Sequence, residues 1–464
     1  MRIPFARHSY QTRSKSLSTQ RLVNLYPEAN PQDTKAPVAL IGSPGLVEFC
    51  DLGIDKPVHG LHKMNGVLYA VCGNTVFSIN SVGTVTTLGT IGANSDRVIM
   101  ANNGDQIAIV KTDGTAYIAT TTTVTQITDG DFRSPSSVTY QDGYFVFTEK
   151  DSQILFSSRL RDGTDYDALD FTSAESKPDD AVAVFADHGE VWAFGTEATE
   201  VYYNAAETAF PFARVTQALI ERGCASRFAI AKEDNTVFWL GDDYVIYRAD
   251  GYTPQRISTH PIEYAIAQYS IVSDAYGFVY TQEGHKFYVL IFPSGNATWV
   301  YDIATNLWHE RESFDIGRWR VNSFAYCYDK NMVGDYTNGK IYYLDLDTYT
   351  EDGETMQAIA HSPPIWRDNR RFSMSEFRVD FDAGVGLTSG QGSDPQIMLQ
   401  WSDDGGNTWS NEHWRDMGKI GEYYKRAVWR RLGGSRERTM RITISDPVKR
   451  QILGGYAEIQ DRRE

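Results

Sequence analysis

Seven short turns rich in Gly, Asn and Asp, each opening onto an alternating apolar strand, recur along residues 58–346 and constrain the fold more than any other feature. They fall at Asn65-Gly66, Asn103-Gly104, Asp142-Gly143, His188-Gly189, Asp234-Asn235, Glu283-Gly284 and Asp329-Lys330. Taking 65, 103, 142, 188, 234, 283 and 330 as anchors, the spacings are 38, 39, 46, 46, 49 and 47 residues. A drifting period of roughly 40–50 residues built of short strands is that of β-propeller blades. One such sheet leaves its faces bare until neighbours stack on them, so six or seven blade-like repeats must close into a ring.

At 464 residues the chain exceeds one ordinary core, and a propeller accounts for most of the excess. The 27 Tyr, 22 Phe and 10 Trp favour strands and supply core volume. No apolar run reaches 18 residues, so no helical membrane span is expected, and Met1-Arg2-Ile3-Pro4-Phe5-Ala6 lacks the apolar core of a signal peptide. Cys50, Cys72, Cys224 and Cys327 are widely separated with no CxxC pair, which predicts buried thiols in place of a disulfide framework or zinc site. Net charge is −16, but residues 361–464 hold 17 Lys/Arg against 15 Asp/Glu and the rest carries −18. An acidic body with a basic end is poorly suited to holding nucleic acid along its whole surface.

In chain order, three regions are expected: an N-terminal arm at 1–50, the propeller at 51–355 and a C-terminal β-sandwich platform at 356–464. The arm is polar, with one apolar patch ending at Pro27, and closes on the turn Gly42-Ser43-Pro44-Gly45. It is expected to pack on the platform and complete it. Residues 210–230 break the propeller rhythm and suggest a short helix or an insertion between blades. After His361-Ser362-Pro363-Pro364 longer strands follow, placed at 372–381, 396–401, 426–431, 439–445 and 455–459.

The sharpest local motif is Ser402-Asp403-Asp404-Gly405-Gly406-Asn407-Thr408-Trp409, a complete Asp-box S-x-D-x-G-x-T-W. Asp404 is placed to accept backbone N–H bonds inside the turn, Gly406 to permit positive φ, Ser402 to open the turn and Trp409 to plug the hairpin base. Asp-boxes are common in sialidases, and Arg2-Ile3-Pro4 echoes the approach to their first blade. This single box lies outside the repeats, so a structural turn is expected. Sequence spacing selects no catalytic carboxylate pair, and the nine histidines form no H-x-x-x-H pair. The Asp-rich turns follow no calcium-loop pattern, and neither a P-loop nor GxSxG occurs. No catalytic, cofactor or metal residue is assigned, and no enzymatic activity is expected.

The stretch Tyr423-Tyr424-Lys425-Arg426-Ala427-Val428-Trp429-Arg430-Arg431 combines the residue types that dominate interface hot spots. Arg426, Trp429, Arg430, Arg431, Arg436 and Arg438 are the expected assembly residues, against the plainer reading of a sheet strand with Trp429 in the core.

Several stretches together resemble the packaged-DNA stabilisation, or tail nozzle (tail hub), proteins of short-tailed, podovirus-type bacteriophages. They are Ser9-Tyr10-Gln11-Thr12-Arg13-Ser14, Gln20-Arg21-Leu22-Val23-Asn24-Leu25-Tyr26-Pro27-Glu28, Ser43-Pro44-Gly45-Leu46, the hairpin from Gly60-Leu61 to Gly73, Ala427-Val428-Trp429-Arg430-Arg431-Leu432-Gly433 and Leu453-Gly454-Gly455-Tyr456-Ala457-Glu458-Ile459. The likeness covers both ends well and the middle as general β texture. It implies a homo-hexameric ring in the virion tail, made in the bacterial host cytoplasm. That ring docks below a portal adaptor, receives a tail spike or fibre, is plugged by a tail needle or its own gate until ejection, and passes genomic DNA through its lumen without specific binding. The other reading, from a different class, is a sialidase-like or glycan-binding propeller.

Overall fold

A computed structural model describes residues 1–31, 34–368 and 370–461. Residues 58–310 form six four-stranded antiparallel blades, each continuous in the chain: 58–90, 99–126, 135–173, 181–214, 231–256 and 276–310. A seventh takes three strands from Val321–Cys327, Lys330–Asp335 and Lys340–Asp345, and its outer strand, Gly45–Asp51, from the other end of the propeller. Residues 45–50, expected in the arm, are therefore part of the ring. Without them the last blade would present an unpaired edge, and pairing the chain's two ends locks the circle.

The recurring turns are the hairpins between the first two strands of each blade. In the first blade Asn65 and Gly66 have φ of 49° and 76°; the fifth uses Asp234 and Asn235 at 52° and 61°. The seventh uses Tyr328 and Asp329, both at 56°, one residue before the anchor read from sequence. Two consecutive positive φ angles define the two-residue turn whose twist matches antiparallel strands, which is why Asn, Asp and Gly recur there. Seven apolar clusters fill the seven gaps between blades. Met64, Val71 and Ile109 join blades 1 and 2; Phe194 and Trp239 join 4 and 5; Cys72, Cys327 and Met332 close 7 onto 1. All four cysteines are buried and free, and burial raises their thiol pKa values, Cys224 to about 12.

Residues 210–230 contain no helix; they hold the strand Phe212–Arg214 and a run of turns. The one helix among the described residues, His260–Ile266, carries Pro261 in its first turn, buries that proline, and packs Ile262 and Ile266 between blades 5 and 6.

The remaining strands form a β-sandwich. One sheet runs Ala427–Arg430, Phe372–Phe381, Gln451–Asp461, Val38–Gly42 and Leu25–Ala29, with Arg2–Ile3 on a further edge of Gln451–Asp461. The facing sheet carries Leu22–Val23, Ala358–His361, Glu437–Ile444, Gln396–Ser402 and His413–Asp416. Their shared core includes Ile3, Phe5, Leu22, Leu25 and Leu40 from the arm beside Phe377, Ile397, Trp429 and Ile442. The arm thus completes both sheets. Leu22–Val23 also pairs with Leu307–Glu310, the outer strand of blade 6, so one sheet runs from propeller into sandwich.

Candidate assembly surface and the family of the chain

The six basic or aromatic residues singled out in sequence divide by strand alternation. In Ala427–Arg430 the burial pattern places Ala427 and Trp429 inside and leaves Arg430 in solvent. Trp429 is 2% exposed, lies near Phe377 and donates its indole N–H to the carbonyl of His413 at 2.7 Å. Arg438 is equally buried: its Nε and Nη2 reach the two carboxylate oxygens of Asp403 at 2.6 and 2.8 Å, and Nη1 reaches Leu432 O. Trp429 and Arg438 are thus internal braces and cannot serve as contact residues, a correction whose cause is the inward phase of their strands. Arg426, Arg430, Arg431 and Arg436 stay on the surface. Arg430 pairs with Glu376 at 3.0 Å, and Arg431 turns the chain with φ 62°.

The Asp-box is a turn that braces the arm. Asp404 accepts the N–H groups of Asn407 and Thr408 and the Thr408 hydroxyl, at 2.6–3.0 Å. Ser402 Oγ donates to Asp404 at 2.7 Å and accepts from Gly406 N at 2.8 Å. These bonds, led by that of Thr408, hold the Asp404 carboxyl well below the usual carboxylate range. Gly405 and Gly406 have φ of 70° and 86° and press on Ser16 and Thr19, where a Cβ at either would come within about 3 Å. Trp409 leans against His361 and under Arg441, at 5.1 and 4.1 Å. The motif therefore sits in the sandwich, as does Arg2, paired with Tyr456.

What sequence reasoning passed over is an apolar shelf on the sandwich. Trp414 is 49% exposed, Ile420 59%, Tyr423 70% and Tyr424 fully exposed, with Leu387 beside them. They lie on His413–Asp416 and on two loops that pack together: a Cβ on Gly384 would touch the Tyr423 ring at 2.7 Å. Tyr423 and Tyr424 stand at the head of the basic stretch, and their exposure depends on a loop that pattern alone does not orient. Exposed aromatic groupings of this kind mark contact surfaces.

Two family models match the chain: "Bacteriophage P22 Gp10, beta-propeller" over residues 1–349 and "Bacteriophage P22 Gp10, beta-sandwich" over residues 357–460. The chain belongs to the bacteriophage P22 Gp10 family. It is accordingly a structural tail protein of a phage and a virion component. The Gp10 propeller model includes the N-terminal arm, in keeping with Gly45–Asp51 closing the ring. No curated protein matches. Among solved structures, the computationally designed Ika8 protein is similar at 10% identity, covering 64% of this chain and 99% of its own, with a TM-score of 0.41. The WD40 β-propeller domain of Doa1 is similar at 9% identity, covering 66% and 97%, with a TM-score of 0.44. Among the described residues no helix is long and apolar enough to cross a membrane, and no cluster of three or more potential metal ligands occurs.

Proposed function

We propose that this chain is the tail-hub subunit of its phage, assembling with five copies of itself into a ring below the portal adaptor. The ring receives a tail spike or fibre and holds packaged DNA, with a needle or gate below, until ejection. The exposure of Trp414, Ile420, Tyr423 and Tyr424 on the sandwich carries this reading, because large exposed apolar side chains favour being covered by a partner. Arg426 and Arg430, on the same side of the basic stretch, steer an acidic neighbour toward it.

DNA passes along the axis of the ring and not through the propeller. Arg227, ahead of blade 5, donates to the Ser136 carbonyl of blade 3 at 2.9 Å, a link between two blades of one propeller. The net −18 carried outside residues 361–464 suits a lumen wall along which DNA slides.

The test is native mass of the full chain, alone and with the portal–adaptor complex, for the wild type and an Ile420→Ser/Tyr423→Ser/Tyr424→Ser variant. Six wild-type copies on the adaptor, and a folded variant that stays unassembled, are the expected results. A wild-type monomer that ignores the adaptor would overturn the reading, and a variant that assembles normally would remove the shelf from it.

A further inference from the structure

The propeller has a cavity of about 970 Å³ at the end of its central channel where the inner strands begin. It draws on blades 1, 2, 4, 5, 6 and 7 and on the connections that precede their first strands. Arg97, Arg227 and Arg318 point into it.

Among the described residues none of these three forms an ion pair. The chain has 60 acidic residues, and the buried Arg311 and Arg438 both have carboxylate partners, whereas the buried Arg450 is held by backbone carbonyls alone. Neutral groups hold the three cavity arginines. Arg97 lies over the face of Tyr276 at 3.8 Å and donates to Asn322 Oδ1 at 3.1 Å. Arg318 donates to the hydroxyl of that same Tyr276 at 3.1 Å and stacks on Tyr336 at 4.1 Å. One tyrosine therefore brings two guanidinium groups together. Burial, together with the charge of Arg318, lowers the Arg97 pKa to about 10 although Tyr276 opposes the shift. Arg97 Nε is a buried donor with no acceptor, and Asp274 Oδ1, on the same cavity wall, is a buried acceptor with no donor.

We propose that this cavity binds an acidic saccharide: a sugar whose carboxylate or phosphate group meets Arg97, Arg227 and Arg318, and whose hydroxyls meet the carboxylates around the mouth. A bare inorganic anion fills only a fraction of about 970 Å³, within the size range of small-molecule sites. Asp96, Asp242 and Asp274 also line the cavity, and they would repel a second anionic group while accepting hydroxyl hydrogen bonds. One charged end and a neutral polyhydroxylated body satisfy both sets. Stacked arginines are pre-organised for an oxyanion, because the aromatic faces fix the guanidinium planes and leave N–H edges free.

The experiment is isothermal titration of the full chain in about 0.15 M salt, where distant surface charge is screened. The probes are galacturonate and glucose 6-phosphate, with galactose, glucose and inorganic phosphate for comparison. Saturable binding of the acidic sugars, at least tenfold tighter than that of the neutral sugars or inorganic phosphate, is expected. Arg227→Gln should weaken it at least tenfold, whereas Arg367→Gln, exposed on the sandwich and away from the cavity, leaves it unchanged. Asp274→Asn, which leaves the arginines intact, should narrow the preference for acidic sugar over inorganic phosphate and serves if Arg227→Gln fails to fold. Absence of binding by either acidic sugar would overturn the site. Equal affinity for inorganic phosphate would overturn the saccharide assignment, and binding unaffected by both Arg227→Gln and Asp274→Asn would place the ligand elsewhere and overturn the proposal.

Discussion

Asn24 and Glu312 are locked together where the propeller meets the sandwich. The Asn24 carboxamide donates to Glu312 O at 2.8 Å and accepts from Glu312 N at 3.2 Å, while its second N–H reaches Gln357 O at 2.7 Å. One side chain thus ties the outer edge of blade 6 to the sandwich and to the arm. Asn24 is 1% exposed and has φ 54°, a conformation Asn tolerates better than most residues.

Replacing Asn24 by Ala should cost about 3 kcal/mol, since two buried carbonyls lose donors and the positive φ is retained by a residue that resists it. Asn24→Gly should recover about 1 kcal/mol of that by relieving the backbone alone. Chemical denaturation of the full chain measures both, and equal stability of the two variants would show that φ plays no part.

Ring closure makes a second residue sensitive. A Cβ on Gly45 would lie 2.4 Å from Thr348 O and 2.5 Å from Thr350 O, so Gly45→Ala must displace the first residue of the closing strand. A loss of about 3 kcal/mol is expected, with proteolytic nicking moving into 45–51. Limited proteolysis followed by mass spectrometry reads this, and an unchanged cleavage map would count against closure through this strand.

Trp429 and Arg430 are adjacent but should behave oppositely. Trp429→Ala empties a core site and is expected to cost about 3–5 kcal/mol. Arg430→Ala removes a largely exposed pair with Glu376, worth less than about 1 kcal/mol, and should leave the Tm nearly unchanged. If Arg430→Ala also abolishes adaptor-dependent assembly, the basic edge acts in contact.

Acid should loosen the molecule before ordinary carboxylate titration. Burial lowers the pKa of His309 and His361 to about 3 and that of His59 to about 4. Their unfolded value is 6.5, so the unfolded chain takes up protons first. The folded state keeps its full stability above pH 6.5 and loses about 1.4 kcal/mol per pH unit for each histidine as the pH falls towards 4. His285 works in the other direction. Its hydrogen bond to Asp302, with Glu28 nearby, raises its pKa, so its contribution is present below 6.5 and fades as pH rises through the folded value. His62, lowered to about 4, and His8 act with the three, and these five outweigh His285 and the exposed His188. Tm measured from pH 7.5 to 4.5 should fall steadily below 6.5, and His309→Leu should flatten that limb.

Local signals were legible wherever chemistry over two to eight residues decides the outcome. The turn at Asp142-Gly143 needs two positive φ angles, so its sequence announces it. The Asp404 turn is likewise self-contained, because its bonds run to residues no more than four positions away. Trp429 was ambiguous because alternation yields two faces without saying which is inward. The pairing of Arg438 with Asp403 spans 35 residues and left no local trace.

By itself, then, the sequence determined the β-propeller with its following sandwich, the hairpin positions and the acidic body with its basic end. All of these follow from residue type repeated at short range. Tertiary structure alone decided that Gly45–Asp51 closes the last blade and that Trp429 and Arg438 are internal. It alone gathered Arg97, Arg227 and Arg318, drawn from three distant stretches, around one cavity. Such relations form only when a ring brings remote segments together, and the free energy that sets them comes from burial and charge in the closed molecule, which no local window contains.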